Sequence, residues 1–513
     1  MRHSLLLLLI PAGLSAQNFR TQDSVIRRMW TEGMERSQTE RLAQVLMDSI
    51  GPRLAGTPGF QSAVDWLAAT YESWGVTARR ENYGTWRGWR QGTVHMQLIA
   101  PRHQNLEVEL LAFSPGTARP VEGEVVLLPA VADSNAARAW LPSVRGRFVL
   151  VSPPEAMCRA PHELERNARA ATVERIRSRR NETLREFAMR AQRFGGFQQL
   201  HRQIEEAGAA AIVTSLWSNG WGVNKIFGAN AERIPTVDLS CEDYGLVWRL
   251  ASNNQGPRLR LSAEAQSSQQ EVPMFNVIAE LRGSELPNEY VILSAHLDSW
   301  HGATGATDNG TGTIMMLEAM RILKAAYPNP RRTILVGHWG AEEMGLVGSR
   351  AFAEDHPEVL EGLQALFNQD NGTWRVELIE GQGYLDAGPH IARWMSALPS
   401  ALTDSLRFQF PGNQENPGSD HTAFICHGVP AFRFQSPYAE YRQYTWHTNR
   451  DTYDKIVFDD LRQNATLAAM VAYMASEDPQ RISRERSILP AGPGGQPRQW
   501  PACGQPRRRF NNE

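Results

Sequence analysis

From Phe275 onward the sequence alternates short apolar segments with longer amphipathic ones. Short continuous apolar runs predict buried strands, whereas apolar residues spaced three or four apart predict helices that pack on a sheet. Alternation of the two is typical of an open α/β sheet. The predicted strands are Tyr290–Ala295, Thr333–Trp339, Leu363–Asn368 and Val429–Phe434, and the predicted helices are Gly312–Ala326, Gly348–Asp355 and Asp459–Ser476.

Histidine and acidic residues follow three of these predicted strands directly. His296 follows the first strand, Glu343 follows the second, and Asp370 follows the third. In an open α/β sheet, functional sites assemble outside the carboxyl ends of the strands. The sequence therefore predicts that three strands each deliver a potential metal ligand to one edge of the sheet.

Two further candidate ligands, Asp308 and His447, come from loops. Asp308 lies in a glycine-rich turn before a predicted helix, a short distance after His296. An aspartate there can also be a helix N-cap, and a loop histidine taken alone is more often a surface residue than a ligand. Their positions relative to the other three candidates favour the ligand interpretation for both.

The adjacent carboxylates Glu342 and Glu343 end an apolar strand. Buried carboxylates are costly unless a cation balances them, so the pair indicates a metal-lined pocket in which one carboxylate binds metal and its neighbour handles protons. Oxygen and nitrogen ligands without a thiolate favour zinc, with cobalt or manganese as alternatives. The number of carboxylates favours two divalent cations over one.

The N-terminal and central parts of the chain carry other signals. Residues 1–16 combine a basic start, an apolar run and small residues before a cut site, which predicts a cleavable export signal. Residues 17–117, mostly helical at first, begin the main domain. Residues 118–270 form a predicted inserted, β-rich unit, in which the charged stretch Arg159–Phe197 is a helix with a solvated face.

Two more segments complete the predicted organisation. Residues 271–483 form the rest of the main domain, and residues 484–513 are rich in Pro, Gly and Arg, which predicts a tail that does not fold alone.

Composition excludes some partners. The formal net charge is −2, so the molecule as a whole does not attract nucleic acid or an anionic membrane, and no segment approaches the roughly 20 apolar residues of a membrane span. The four cysteines lack CxxC spacing and have three possible pairings in an oxidising compartment, which the sequence leaves open.

Several motifs together resemble the zinc exopeptidase family of aminopeptidase Y, and in particular its carboxypeptidase Q-type members. The segments that carry the resemblance are His296-Leu297-Asp298-Ser299-Trp300, Gly305 to Gly312, Ala341 to Gly345, Gln369-Asp370-Asn371-Gly372 and His447 to Thr452. The resemblance covers about Gly51 to Ser476. It implies a three-layer α/β/α zinc-exopeptidase (phosphorylase/hydrolase-like) catalytic domain and identifies the β-rich insertion as similar to a protease-associated domain.

The resemblance also implies a role for each residue of the metal site. Asp308 would bridge two zinc ions, His296 and Asp370 would complete the ligands of one ion, and Glu343 and His447 those of the other.

Residues beside the metal ligands receive roles from the same resemblance. Glu342 would be the general base, and Asp298 would orient His296 from behind, as ligand histidines usually require. The hydroxyl groups of Tyr438, Tyr441 and Tyr444 are candidates for holding an oxyanion or a substrate terminus. Trp446 departs from the family, because some relatives carry His or Tyr before the last ligand.

These features predict a secreted or periplasmic zinc exopeptidase that removes single residues from short peptides or hydrolyses dipeptides. The alternatives are hydrolysis of another amide, such as an N-acyl amino acid, on the same metals, and a binding scaffold without activity. The expected partner is a peptide substrate; the sequence leaves open whether the chain is a monomer or a homodimer.

Overall fold

The computed structural model describes residues 21–415, 418–489, 491, 495–496 and 499–510. The predicted export signal lies outside the described residues. Within them, no helix combines the length and the apolar character needed to cross a bilayer.

Helices begin the described chain and form most of the connections between strands. Their bounds are α1 Ser24–Trp30, α2 Thr39–Gln44, α3 Pro58–Ser73, α4 Ser134–Trp140, α5 Pro161–Asn167, α6 Ala170–Gln192, α7 Phe197–Glu206, α8 Cys241–Ser252, α9 Thr311–Ala326, α10 Val347–Asp355, α11 Pro357–Gly362, α12 Ala387–Ser396, α13 Ser400–Thr403, α14 Thr422–Ile425 and α15 Phe458–Glu477. The three helices predicted in the main domain are confirmed as α9, α10 and α15.

The described strands form one hydrogen-bonded sheet. Their bounds are β1 Thr77–Ala100, β2 Gln104–Leu106, β3 Val108–Leu110, β4 Val121–Leu127, β5 Phe148–Leu150, β6 Ala211–Thr214, β7 Thr236–Leu239, β8 Arg258–Leu281, β9 Leu286–His296, β10 Arg332–Trp339, β11 Leu363–Gln369, β12 Leu378–Glu380, β13 Arg407–Gln409 and β14 Ala431–Gln435. The order is β13-β12-β14-β11-β9-β10-β8-β4-β5-β6-β7-β3, with β1 beside β8 and β2 beside β1.

The centre of this sheet is parallel and determines where the site lies. β14, β11, β9 and β10 are successive neighbours, and all three pairings between them are parallel. These are the four predicted strands of the main domain, which the structure confirms. Because they run in one direction, their carboxyl ends share one edge of the sheet.

Helices cover both faces of the parallel strands, which confirms the predicted α/β fold. On β9, Val291, Leu293 and Ala295 belong to one core cluster together with residues of α9 and α15. Ile292 points the other way and packs in a second cluster with residues of α10, α11 and α14. Side chains alternate across a strand, so a strand that is apolar throughout buries both of its faces.

A long antiparallel ribbon, formed by β1 and β8, is a feature that the sequence did not predict. Its register shifts at four points, and glycines of β1 lie at three of them: Gly84, Gly88 and Gly92. Each bulge interrupts the period-two pattern by which a strand is identified from sequence. β8 also runs without a break across residue 270, the predicted end of the inserted unit.

The remaining strands form the far end of the sheet. β4, β5, β6 and β7 pair in parallel, and β3 is antiparallel to β7. The charged stretch predicted to be helical contains α5 and α6, and α6 buries Phe187 and Ala191 while most of its other residues face solvent. A disulfide joins Cys158, before α5, to Cys241 at the start of α8.

The described part of the C-terminal tail crosses the main domain. A second disulfide joins Cys503 to Cys426, which settles the pairing that the sequence left open. Beyond it, Arg508 forms ion pairs with the acidic end of α10, and the ring of Phe510 lies edge-on to Trp86 at 5.4 Å between centroids.

Candidate metal centre

A pocket of about 450 Å³ opens at the carboxyl edge of the parallel strands. Its walls include four of the five predicted ligands (Asp308, Glu343, Asp370 and His447) and also Glu342. The fifth, His296, lies beneath them with no exposed surface.

The predicted ligands form two groups that share one aspartate. His296 Nε2 lies 3.2 Å from Asp370 Oδ1 and 3.5 Å from Asp308 Oδ1. His447 Nε2 lies 3.0 Å from Glu343 Oε2 and 3.2 Å from Asp308 Oδ2. The two oxygens of Asp308 therefore face different groups.

Asp308 lies in the loop before α9, and two distant residues, Asp451 and Arg53, fix the backbone of this loop. The sequence did not predict these contacts. The buried carboxylate of Asp451 accepts hydrogen bonds from the backbone N–H groups of Thr307 (2.8 Å) and Asp308 (2.9 Å). The buried guanidinium of Arg53 donates to the carbonyl oxygens of the same loop, including that of Gly305 at 2.9 Å. Gly305 has φ +59°, and a Cβ there would lie 2.3 Å from the Ser299 side chain, so the turn requires glycine.

Glu342 and Glu343 are positioned by residues of the segment after β9. Asp298 Oδ1 accepts a hydrogen bond from the Glu342 backbone N–H at 3.0 Å, and Oδ2 accepts one from that of Glu343 at 3.2 Å. The Trp300 indole N–H donates to Glu343 Oε2 at 2.8 Å. The Asp298 carboxylate is 3.6 Å from His296 Nδ1, while its backbone carbonyl is nearer, at 3.0 Å. Asp298 thus contacts two predicted ligands, His296 through its ring and Glu343 through its backbone N–H.

His447 is held from the side by the segment between β6 and β7. The backbone N–H of Ile226 donates to the His447 carbonyl at 2.7 Å. The ring of Phe227 lies edge-on to the imidazole at 5.2 Å, and Trp300 lies at 5.9 Å on another side. These contacts fix a residue whose own φ is +58°, and no sequence pattern identifies them.

The electrostatics of the site reflect how closely its acids are crowded. Burial and the neighbouring charge of Asp308 raise the pKa of Glu343 well above its ordinary value. Burial also raises that of Glu342, although the charge of His296 opposes it. Burial alone would raise the pKa of Asp370. The charge of His296 and its hydrogen bond to the carboxylate outweigh burial and lower this pKa to about 2. Burial lowers the pKa of His447 to about 4, which keeps the imidazole neutral and able to bind a cation.

The residues fit divalent cations. Zinc binds nitrogen and oxygen at about 2.0–2.2 Å, which places neighbouring ligand atoms roughly 3.3–3.6 Å apart in a tetrahedral site, close to the spacing in both groups. Asp308 Oδ2 and Glu343 Oε1 are buried and accept no hydrogen bond from the described residues. Buried oxygens without a donor are costly, and a bound cation removes that cost.

Aromatic and basic residues also line the pocket. Tyr438 and Tyr441 line it, with Trp446 and three arginines, whereas Tyr444 does not and instead lies near Gly220. Of the three tyrosines singled out from the sequence, two therefore reach the pocket.

Comparison with known proteins relates this part of the chain to a family of peptidases. Residues 276–472, which contain all five predicted ligands, match peptidase family M28. This segment is similar to the peptidases of family M28. The predicted resemblance and the predicted enzyme class, a metallo-exopeptidase, are confirmed by this match and by similarity to whole relatives. Carboxypeptidase Q of Bos taurus is 26% identical over 448 residues, covering 87% of this chain and 86% of the relative. Carboxypeptidase Q of Homo sapiens is 25% identical over 448 residues with the same coverage.

Solved structures extend the similarity of the fold beyond the M28 domain. The crystal structure of a peptidase M28 precursor from Shewanella amazonensis matches 90% of this chain and 97% of its own, with a TM-score of 0.64 and 23% identity. The zinc aminopeptidase BSAP from Bacillus subtilis matches 87% of this chain and 96% of its own, with a TM-score of 0.54 and 19% identity.

Proposed function

We propose that the chain is an exported two-zinc exopeptidase that removes single residues from short peptides and hydrolyses dipeptides. The observation that carries the proposal is the convergence of His296, Asp308, Glu343, Asp370 and His447 in two groups that share Asp308. A carboxylate that presents one oxygen to each group suits a pair of ions, and the similarity to a zinc aminopeptidase supports zinc as the metal.

Each residue of the pocket has a task in this reaction. Bound zinc supplies a Lewis acid for the scissile carbonyl and lowers the pKa of water that attacks it. Glu342 lines the same pocket without being in either ligand group; it takes a proton from the attacking water and passes it to the leaving amine. A positioned carboxylate can both accept and release a proton in this way.

Export is supported by two features. Residues 1–16 have the pattern of a signal peptide, and all four cysteines pair in disulfides, which persist in oxidising compartments. Sequencing the N-terminus of protein recovered from outside the cytoplasm tests this part; an intact Met1 there would contradict it.

The enzymatic proposal is tested by metal analysis together with a panel of dipeptides, blocked peptides and N-acyl amino acids. We expect about two zinc ions per chain, hydrolysis of free dipeptides, and loss of activity on chelation that zinc restores. One tightly bound zinc at full activity would contradict the two-ion site. Turnover of N-acyl amino acids alone would favour the alternative amide substrate.

Glu342→Gln tests the general base. The variant should keep both zinc ions and lose about a hundred- to ten-thousand-fold in kcat, the range for a positioned acid–base group. Glu206→Gln, at the exposed end of α7, is the matched control and should leave both quantities unchanged. Full activity of Glu342→Gln would remove that residue from the mechanism.

A further inference from the structure

Three guanidinium groups line the pocket together with the predicted metal ligands, and that of Arg433 is already neutralised. Arg433 Nη1 lies 2.6 Å from Glu415 Oε1, and its Nη2 donates a hydrogen bond to the carbonyl oxygen of Asp370. Arg433 is therefore part of the framework that holds the metal site. Arg350 and Arg442 remain to be explained.

Neither Arg350 nor Arg442 forms a side-chain hydrogen bond or an ion pair with another described residue. The Arg442 guanidinium lies over the rings of Tyr438 at 4.6 Å and Trp446 at 5.8 Å. Stacking of this kind orients a guanidinium while leaving its N–H donors free at the edge.

The C-terminal tail packs against Arg350. A Cβ built at Gly504 would lie 3.0 Å from Arg350 Cζ, so the tail backbone lies next to the guanidinium. The disulfide between Cys503 and Cys426 holds the tail at that place. An arginine confined in this way loses little conformational entropy when it binds a ligand.

Among the residues that line the pocket, positive side chains outnumber the carboxylates left without a partner. The proposed zinc ions neutralise the carboxylates of Asp308, Glu343 and Asp370, and the guanidinium of Arg433 neutralises that of Glu415. This leaves the single carboxylate of Glu342 against two guanidinium groups and the residual charge of the ions. Among peptide groups, a free carboxylate complements this surplus, since arginine binds carboxylates through two parallel hydrogen bonds.

We propose that Arg350 and Arg442 bind the C-terminal carboxylate of a short peptide whose scissile bond lies at the metal centre. The inference rests on the proposed function and deepens it: the site selects peptides with a free carboxyl end. A pocket of about 450 Å³ lies at the small end of the range for ligand sites, which limits the substrate to a few residues. Both arginines are specificity-determining residues and take no part in proton transfer.

The test compares the dipeptide that the zinc-loaded enzyme hydrolyses fastest with the C-terminal amide of the same dipeptide. The two share a scissile bond and differ in the charge that the arginines would bind. We expect the wild-type enzyme to favour the acid by about tenfold or more in kcat/KM, mainly through KM, since a lost hydrogen bond to a charged group has an effect of this order.

Arg350→Met and Arg442→Met should each lower kcat/KM for the acid about tenfold and leave that for the amide within about twofold. Activity on the amide also shows that the variants fold. Arg442→Lys should keep part of the preference because it keeps the charge but loses the planar fork. Arg28→Met, on the exposed face of α1, is the matched control and should leave the preference unchanged.

A binding measurement separates this inference from the proposed function. Zinc-loaded Glu342→Gln protein should bind the dipeptide about tenfold more tightly than its amide in calorimetry, and adding Arg442→Met should abolish the difference. Equal wild-type kinetics and equal binding for acid and amide, or arginine variants that weaken both equally, would overturn the inference while the peptidase remains. Hydrolysis of neither substrate would instead contradict the proposed function, and the binding comparison would still decide the role of the arginines.

Discussion

Asp298→Asn should disturb the metal centre although Asp298 is outside both ligand groups. The carboxylate has no exposed surface, and its two oxygens accept the backbone N–H groups of Glu342 and Glu343. Asparagine keeps the shape but offers one acceptor oxygen and one NH₂ group. In either orientation, one of the two backbone donors therefore faces another donor.

The expected magnitude follows from that lost acceptor. Hydrogen bonds to a charged group contribute about 1.5–3 kcal/mol each, and replacing a residue behind metal ligands typically weakens metal binding by about 10- to 100-fold, or roughly 1.4–2.7 kcal/mol. The two ranges agree. Because the turn carries both a proposed zinc ligand and the proposed base, we expect zinc affinity and kcat/KM at saturating zinc each to fall about 10- to 100-fold in Asp298→Asn.

Zinc affinity is measured by competition with a chromophoric chelator, and kcat/KM on a dipeptide with zinc in excess. The matched control is Asp243→Asn, because Asp243 also accepts a backbone N–H, that of Glu107 at 2.7 Å, but lies in α8 away from the pocket. The control should lose stability without losing zinc affinity. If Asp298→Asn behaved like the control, Asp298 would not position the metal centre.

Three further predictions concern the framework of the molecule. Arg53→Met should lower the free energy of unfolding in denaturant by about 3–5 kcal/mol, since it leaves several buried carbonyl groups without a donor; a loss below about 1 kcal/mol would contradict this. Burial would raise the pKa of Asp478, but hydrogen bonds that include one from Arg393 lower this pKa to about 2. The carboxylate therefore contributes about 2 kcal/mol to the free energy of unfolding above pH 4, and this contribution is lost as the pH falls towards 2. The difference in unfolding free energy between wild type and Asp478→Asn should shrink over that interval, and a pH-independent difference would refute it. Cys503→Ser should lower stability by about 4–5 kcal/mol, because its bridge to Cys426 spans 77 residues; thermal unfolding without reductant measures this, and an unchanged melting temperature would count against it.

The predicted strands of the main domain agreed with the structure because they are buried on both faces. Such strands read as continuous apolar runs, and the residue at each end marks the edge of the sheet. His296, Glu343 and Asp370 could therefore be placed together from sequence, since parallel neighbours share a carboxyl edge. Asp308 required the added information of its distance from His296 along the chain.

Other features left no readable trace in the sequence. The ribbon of β1 and β8 is interrupted by bulges, which destroy the alternation that defines a strand. The role of Arg53 depends on contacts with a loop about 250 residues later, and no local pattern reports such a contact. The same holds for Gly504, whose approach to Arg350 depends on a disulfide that the sequence could not assign.

His447 shows most clearly how the two halves of the chain combine in one site. Its position follows a π-helical turn, Tyr441–Thr445, and its backbone adopts a positive φ that a β-carbon disfavours. Such a conformation persists when surrounding contacts fix it, and here Ile226 binds its carbonyl while Phe227 packs against its ring. Both residues belong to the segment before β7, which lies within the predicted insertion and outside the M28 match. The second group of proposed metal ligands therefore depends on residues that the M28 segment does not contain, and a protein reduced to that segment would lack the contacts that hold this imidazole beside Glu343.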